Sequence, residues 1–209
     1  MVIGERFAYG HIPKTGGDAV HSWLAQIDGV QVDPLSEARK HQFFWERDIH
    51  KDVYVLSFRR LPFWALSYLH QLAFHPDAAR HYGIPPDDTV RPEHAFALTP
   101  DEYLRQHQRD GREIDVWLRM EHLFDDVIRF ITGDIQPVTA ELHHRLLAVR
   151  TKDRQHYYHE VSDFFSTVQI AALYARNPMW SAVEKNVYGG LYTQHRAKCP
   201  DLGLMRAAA

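Results

Sequence analysis

The sequence contains a single cysteine, Cys199, so no disulfide can form within the chain. A chain without disulfides suits a reducing compartment, and we expect a cytoplasmic protein. The sequence also lacks any run approaching the roughly 18–20 apolar residues that a membrane span requires. Its first residues contain no apolar segment typical of a signal peptide. These absences predict a protein with no membrane span.

Neither sign of charge is in large excess. The chain has 24 Lys and Arg residues against 27 Asp and Glu, a formal net charge of −3 with neutral histidines. Binding of nucleic acid through the overall field of the protein is therefore not expected. Histidine is frequent, at 15 residues, but no Cys cluster or HExxH pattern accompanies it, and we predict no metal site. A hydrophobic fraction of 45% suits one globular domain over residues 1–209.

Two stretches of the chain predict a strand, a short turn and a helix. In the first, a strand over residues 7–12 precedes a helix that Asp18 caps and Gly29 ends. In the second, a strand over 53–58 precedes a helix that opens at Pro62. The later predicted elements are a strand over 114–118 and helices over 123–133, 138–149 and 162–175.

Strands that alternate with helices predict an α/β fold with a parallel sheet. Ligands of such folds bind beyond the carboxyl ends of the strands, where both predicted turns would lie. Residues 76–100 are rich in Pro, Asp and His, and we expect a long surface excursion there that contacts substrate or acts as a lid.

The most informative segment is the string HIPKTGG at residues 11–17, between the first strand and the first helix. Glycines let backbone N–H groups approach an anion, while Lys14 and the N-terminus of the helix supply positive potential. The string is not a Walker A motif, because its lysine precedes the glycines. The segment therefore predicts a phosphate-type anion site of another kind.

This string resembles the 5′-phosphosulfate loop of sulfotransferases that use 3′-phosphoadenylyl sulfate, especially the carbohydrate (2-O-sulfotransferase-like) branch. That branch has a second motif, in which an arginine ends a strand and a serine follows eight residues later. Arg59 and Ser67 match this pair, although Arg60 is the alternative arginine. The resemblance implies a P-loop-type three-layer fold with a central parallel sheet flanked by helices.

The resemblance also implies a sulfotransferase that moves a sulfuryl group to an acceptor hydroxyl of a small molecule, a lipid or a sugar. Adenosine 3′,5′-bisphosphate would be the product, and no metal would take part. Lys14 would stabilise the charge that develops during transfer, and Arg59 with Ser67 would hold the 3′-phosphate. The residues that would bind the nucleotide are Lys14, Thr15, Gly16, Gly17, Asp18, Arg59, Ser67, Lys152 and Arg154.

The acceptor hydroxyl needs a general base, and related enzymes place a His or Glu before the second strand. We expect His41 in this role, with Glu46 as the alternative. The family usually has two hydroxyl residues where this chain has Asp18 and Ala19. Asp18 either caps the helix or crowds the anion site. This departure makes a nucleotide-binding protein without transfer activity one alternative function. A P-loop kinase is the other, because such kinases also bind phosphate between a strand and a helix.

Overall fold

The computed structural model describes residues 1–33, 41–84, 90–150 and 160–193. Within these residues, five strands form one sheet in the order β3-β1-β2-β4-β5. The strands are β1 (Val2–Ile3), β2 (Phe7–Gly10), β3 (Gln31–Val32), β4 (Val53–Phe58) and β5 (Val116–Arg119).

The sheet is mixed. β2, β4 and β5 are parallel, with Gly10 opposite Leu56 and Phe58 opposite Arg119. β1 is antiparallel to both β2 and β3. Only residues 4–6 separate β1 from β2, and so short a connection joins antiparallel neighbours, since a parallel crossover needs a dozen or more residues. The predicted α/β fold is confirmed, whereas the expectation of a parallel sheet holds for three of these five strands.

Helices cover both faces of the sheet. They are α1 (Gly17–Leu24), α2 (Leu61–Ala73), α3 (Pro76–His81), α4 (Pro100–His107), α5 (Leu123–Phe130), α6 (Ala140–Ala148), α7 (Val161–Phe164), α8 (Thr167–Arg176) and α9 (Pro178–Tyr188). Alternate strand residues supply the two cores: Tyr9 packs with α1, α5 and α6, while Leu56 and Phe58 pack with α2, α4, α8 and α9.

The first helix differs from its prediction at both ends. Its N-cap is Gly16, and Asp18 lies in the first turn, so the capping role predicted for Asp18 is wrong. The helix ends at Leu24, and Gly29, with a φ of 78°, lies in a turn further on. A glycine with positive φ marks a chain reversal, and here that reversal follows the helix by several residues.

Other boundaries differ for local reasons. The second helix begins at Leu61, one residue before Pro62. The helix predicted over 162–175 is two helices, because Ser166 caps α8 by accepting a hydrogen bond from the Gln169 N–H. The strand predicted over 114–118 is β5, and a π-helical turn over Ile131–Ile135 follows α5.

The segment over 76–100 is not the long surface excursion that its composition predicts. It contains α3 and a 3₁₀ turn over Pro92–Ala97. Four of its apolar side chains belong to the core: Ala79, Ile84, Ala95 and Leu98. Its described part therefore contributes to the packing against α2 and α8.

Candidate functional site

The 11–17 loop and the turn that contains Arg59, two of the predicted site segments, lie at one edge of the sheet. The three parallel strands all end there, β2 at Gly10, β4 at Phe58 and β5 at Arg119. The loop over residues 11–17 follows β2, and the turn that contains Arg59 follows β4. The sheet thus brings the two sequence motifs, 45 residues apart, to neighbouring positions.

The 11–17 loop has a backbone suited to an anion. Lys14 has a φ of 68° and Gly16 a φ of 84°, both in the left-handed region. Such residues within a turn direct successive N–H groups toward one side and form an anion-binding concavity. α1 begins directly afterwards, and its N-cap residue provides no side-chain hydrogen bond to the first turn. The N-terminal N–H groups of α1 therefore add to the positive potential at the loop.

Both glycines of the loop are required by close packing. A Cβ at position 17 would lie 1.9 Å from the His11 ring, and a Cβ at position 16 would lie 2.5 Å from Met120 and Leu123 side-chain atoms. Without these Cβ atoms, the loop packs closely against the buried ring of His11 and against the residues that follow β5. Packing alone therefore explains the glycine pair, and it also holds the backbone in its anion-binding conformation.

A chain of buried hydroxyl groups lies beneath the loop. The Thr15 hydroxyl donates to the Ile12 carbonyl at 2.7 Å and lies 2.7 Å from the Ser57 hydroxyl. Because the Thr15 proton is used, Ser57 donates to Thr15 and in turn accepts from Tyr9 at 2.8 Å. Thr15 is fully buried, so its hydroxyl is occupied inside the protein and is not presented to a ligand.

Two buried tryptophans hold the carbonyl groups of the two motifs. The Trp64 indole N–H donates to the Pro13 carbonyl at 2.8 Å, and that of Trp180 donates to the Arg59 carbonyl at 3.0 Å. Their ring centroids are 5.3 Å apart. The sequence singles out neither tryptophan, because nothing in a single sequence connects residues so far apart to these carbonyls.

The structure separates the roles of the two consecutive arginines. Arg59 is the one at the loop, with its Nη1 atom 3.5 Å from the Lys14 carbonyl oxygen. Arg60 instead donates to Glu184 at 3.1 Å and to the Gly190 carbonyl at 3.0 Å. Ser67 is buried in α2, only 1% exposed, so the structure does not present its hydroxyl at the surface of the site.

His41 lies against the other flank of the loop. Its Nδ1 is 3.1 Å from the His11 carbonyl oxygen, and the two rings are 4.5 Å apart. A carbonyl only accepts hydrogen bonds, so Nδ1 carries the proton of neutral His41 and Nε2 carries the lone pair. Glu46, the alternative base, is exposed and caps a 3₁₀ turn by accepting from the Phe43 N–H at 2.6 Å.

Asp18 lies in the first turn of α1 with its side chain 28% exposed, and its Oδ1 is 4.0 Å from Nδ1 of His11. A carboxylate there interacts favourably with the helix N-terminus, which is the same electrostatic feature that attracts a phosphate.

The predicted nucleotide-binding residues Lys152 and Arg154 lie outside the described residues.

Other histidines around the end of β2 are buried. His21 and His107 are 1% and 0% exposed, and burial lowers the pKa of His21 to about 4 and of His107 to about 3. The ring of His107 packs on Phe43 and Phe44. His21 packs on Tyr9, as expected for a helix-packing residue. Among the described residues, no group of three His, Cys, Asp or Glu side chains is arranged to hold a metal ion.

A cavity of about 200 Å³ opens beside the Arg59 turn. It is lined by Arg60, Phe63, Glu121 and Tyr192, which combine two aromatic rings with groups of opposite charge. The cavity therefore offers apolar contact together with hydrogen-bond donors and acceptors.

None of the helices described is long and apolar enough to cross a membrane. No protein-family model matches the chain, and neither a curated protein nor a solved structure matches it significantly. The motifs and the geometry are therefore the basis for a functional assignment.

Proposed function

We propose that this protein is a sulfotransferase with a P-loop-type fold that takes 3′-phosphoadenylyl sulfate as its donor. One observation carries the proposal: His41 and Arg59, both indicated by the sequence, flank the 11–17 loop that contains Lys14. The loop lies between the His41 ring, bonded to the His11 carbonyl, and the Arg59 guanidinium beside the Lys14 carbonyl.

In this proposal the loop binds the 5′-phosphosulfate. The backbone N–H group of the half-buried Gly16 donates to its oxygens at the N-terminus of α1. Thr15 and Gly17 are buried, so they hold the loop in place, and the Thr15 hydroxyl takes no part. Arg59 holds the 3′-phosphate, since a guanidinium forms two parallel bonds to a phosphate. Ser67 is left out, because its side chain is buried.

The transfer step is an in-line displacement at sulfur. The acceptor oxygen forms a bond to sulfur as the bond between sulfur and the 5′-phosphate oxygen breaks, and adenosine 3′,5′-bisphosphate leaves. The acceptor proton passes to Nε2 of His41, the ring atom that carries the lone pair. Lys14 stabilises the negative charge that grows on the bridging oxygen. The acceptor is a hydroxyl compound, for which we retain small molecules, lipids and sugars.

Asp18 supports a second candidate, a nucleotide-binding protein without transfer activity. Its carboxylate lies within the first turn of the helix that would receive the 5′-phosphate. Repulsion between two anions in one site weakens binding of the 5′-phosphosulfate, so in this second candidate the chain binds nucleotide mainly through Arg59 and the 3′-phosphate and lacks turnover.

Thermal unfolding with added nucleotides tests the proposal. A sulfotransferase is stabilised by adenosine 3′,5′-bisphosphate and not by ATP with Mg²⁺, whereas a P-loop kinase shows the reverse. Stabilisation by the bisphosphate with no turnover of the donor across a broad panel of hydroxyl acceptors would favour the second candidate. Stabilisation by ATP with Mg²⁺ alone would reject both.

A further inference from the structure

Three side chains of α9 lie four residues apart and bind the turn that carries Arg59. We call Trp180, Glu184 and Tyr188 the α9 stripe, because residues at this spacing share one helix face. Trp180 donates to the Arg59 carbonyl at 3.0 Å, and Glu184 accepts from the Leu61 N–H at 2.8 Å. The Tyr188 hydroxyl has one proton for two acceptors, and it shares that proton between the Glu121 carboxylate and the Phe58 carbonyl oxygen, which lies 3.2 Å away.

The α9 stripe thus contacts the backbone of three positions between residues 58 and 61. Of these positions, Phe58 is the last residue of strand β4 and Leu61 is the first residue of helix α2. The first N–H groups of a helix lack partners within the helix, so the Glu184 carboxylate satisfies a group that needs an acceptor. The backbone from which Arg59 projects is therefore held from outside its own loop.

Glu184 also determines where Arg60 lies. The Arg60 guanidinium donates to Glu184 at 3.1 Å and stands over the Tyr188 ring, 4.3 Å from its centroid. Tyr188 in turn contacts the carboxylate of Glu121. The Arg60 guanidinium therefore lies against α9, while the guanidinium of its neighbour Arg59 lies beside the Lys14 carbonyl.

The Glu184 carboxylate is fully buried and has its acceptor positions filled. Besides Arg60 and Leu61, the Tyr174 hydroxyl and the Tyr192 N–H donate to it at 2.8 Å and 3.0 Å. A buried charge is costly unless it is paired and hydrogen-bonded, and apolar packing in its place is often no less stable. The Glu184 charge here orients the turn, because its four donors hold the carboxylate in place beside the Leu61 N–H.

We propose that the α9 stripe positions Arg59, so that Trp180, Glu184 and Tyr188 set the preference of the nucleotide site for a 3′-phosphate. This inference rests on the proposed function, because it assigns the 3′-phosphate to Arg59. The three residues do not touch the ligand. They act through the backbone of residues 58–61 and through Arg60.

Nucleotide binding to variants of the stripe tests this inference. Glu184→Gln places an amide NH₂ among four donors, so we expect the affinity for adenosine 3′,5′-bisphosphate to fall about tenfold. The affinity for AMP, which lacks the 3′-phosphate, should change less than about twofold. Tyr188→Phe removes one oxygen and leaves the ring, and it should weaken bisphosphate binding about threefold.

Tyr82→Phe is the matched control. It removes a hydroxyl that lies 3.1 Å from the Tyr68 hydroxyl and that, among the described residues, is not bonded to the 58–61 backbone. This variant should keep the wild-type ratio of bisphosphate to AMP affinity. Equal losses for both nucleotides in the stripe variants, or an unchanged ratio in Tyr188→Phe, would overturn the positioning role.

Amide hydrogen exchange separates failure of this inference from failure of the proposed function. In the free protein, Glu184→Gln should speed exchange of the Leu61 N–H at least about fivefold, while the β2 amides exchange as in the wild type. An unchanged Leu61 rate would contradict the positioning role whatever the nucleotide. Wild-type protein that fails to bind the bisphosphate, with faster Leu61 exchange in the variant, would instead reject the proposed function.

Discussion

Lys14 in the 11–17 loop and Arg59 beside it carry the same charge, but the proposal gives them different parts of the donor. In the proposed mechanism Lys14 is next to the bond that breaks, where negative charge grows only as the reaction proceeds. Arg59 is assigned to a phosphate that does not change. Interactions that strengthen in the transition state raise turnover, whereas uniform ones alter only the concentration of donor required.

Substitution of these two residues should therefore separate kcat from KM. Lys14→Ala should lower kcat by about 10²-fold, the effect of removing one transition-state donor. Arg59→Ala should raise the KM for the donor with a smaller effect on kcat. Steady-state kinetics with varied donor measures both, and Arg6→Ala, an exposed arginine paired with Asp52 before β2, is the control. Near-normal turnover in Lys14→Ala would refute the mechanism.

Substitution of Asp18 tests whether its carboxylate hinders or assists nucleotide binding. If its carboxylate repels the 5′-phosphate, Asp18→Thr should tighten binding of adenosine 3′,5′-bisphosphate by roughly 1 kcal/mol. The hydroxyl of threonine adds a donor at the first turn and removes the charge. Isothermal titration calorimetry measures the change, and a weaker affinity in the variant would show that Asp18 assists binding.

At the scale of elements, the 11–17 loop is held by hydrogen-bonding side chains from two strands and one helix. Ser57 of β4 links Tyr9 of β2 with Thr15 of the loop. Trp64 of α2 adds a bond to the Pro13 carbonyl at 2.8 Å. The conformation of the loop is therefore set by buried side chains that do not face the ligand.

Ser57→Ala should lower the free energy of unfolding by about 1–3 kcal/mol, because it leaves the buried Tyr9 hydroxyl without its acceptor. Urea unfolding followed by tryptophan fluorescence measures the loss. Ser22→Ala is the control, since Ser22 is a half-buried helix residue that donates only to the Asp18 carbonyl in its own helix. A change of less than 0.5 kcal/mol in Ser57→Ala, on the order of an ordinary surface substitution, would contradict the role of the hydroxyl chain.

The sequence predicts those elements whose evidence is local. Val53–Phe58 is a short apolar run of β-forming residues, and the structure gives that strand with the predicted bounds. The His11–Gly17 string locates the loop because glycines and a lysine before a helix have a direct physical reading. The strand pairing of β1 was not predicted, since two-residue strands at Val2 and Gln31 have no periodicity to detect.

The tertiary part of the site could not be obtained in this way. The choice between Arg59 and Arg60 depends on Glu184, which is 124 positions from Arg60 along the chain. The burial of Ser67 likewise depends on which face of α2 meets the core. A helix over 178–188 was missed, although Pro178 at its first position is a recognisable start signal.

For the whole molecule, the buried histidines predict a stability that depends on pH. Burial lowers the pKa of His21 to about 4 and of His107 to about 3, against an ordinary value of 6.5. Below pH 6.5 the unfolded chain binds these protons and the folded one does not. Stability is therefore complete above pH 6.5 and falls as the pH drops toward 4, by up to about 1.4 kcal/mol per pH unit for each histidine.

Removal of one histidine tests this dependence. His107→Met should flatten the slope of unfolding free energy against pH between 4 and 6.5, in urea titrations at several pH values. Leu146→Ala, which shortens a fully buried side chain of α6 and leaves the rings on His107 in place, is a control that destabilises without titrating, so its slope should equal that of the wild type. A His107→Met slope identical to the wild type would show that His107 does not titrate as described.

The central claim is that the edge formed by the ends of β2 and β4 binds a nucleotide through both of its phosphates. Calorimetric titration of the wild-type protein with adenosine 3′,5′-bisphosphate and with AMP tests it most directly. Because the proposal assigns Arg59 to the 3′-phosphate, we predict tighter binding of the bisphosphate by about tenfold or more, and loss of that difference in Arg59→Ala. Equal affinities of the wild-type protein for the two nucleotides would contradict the account.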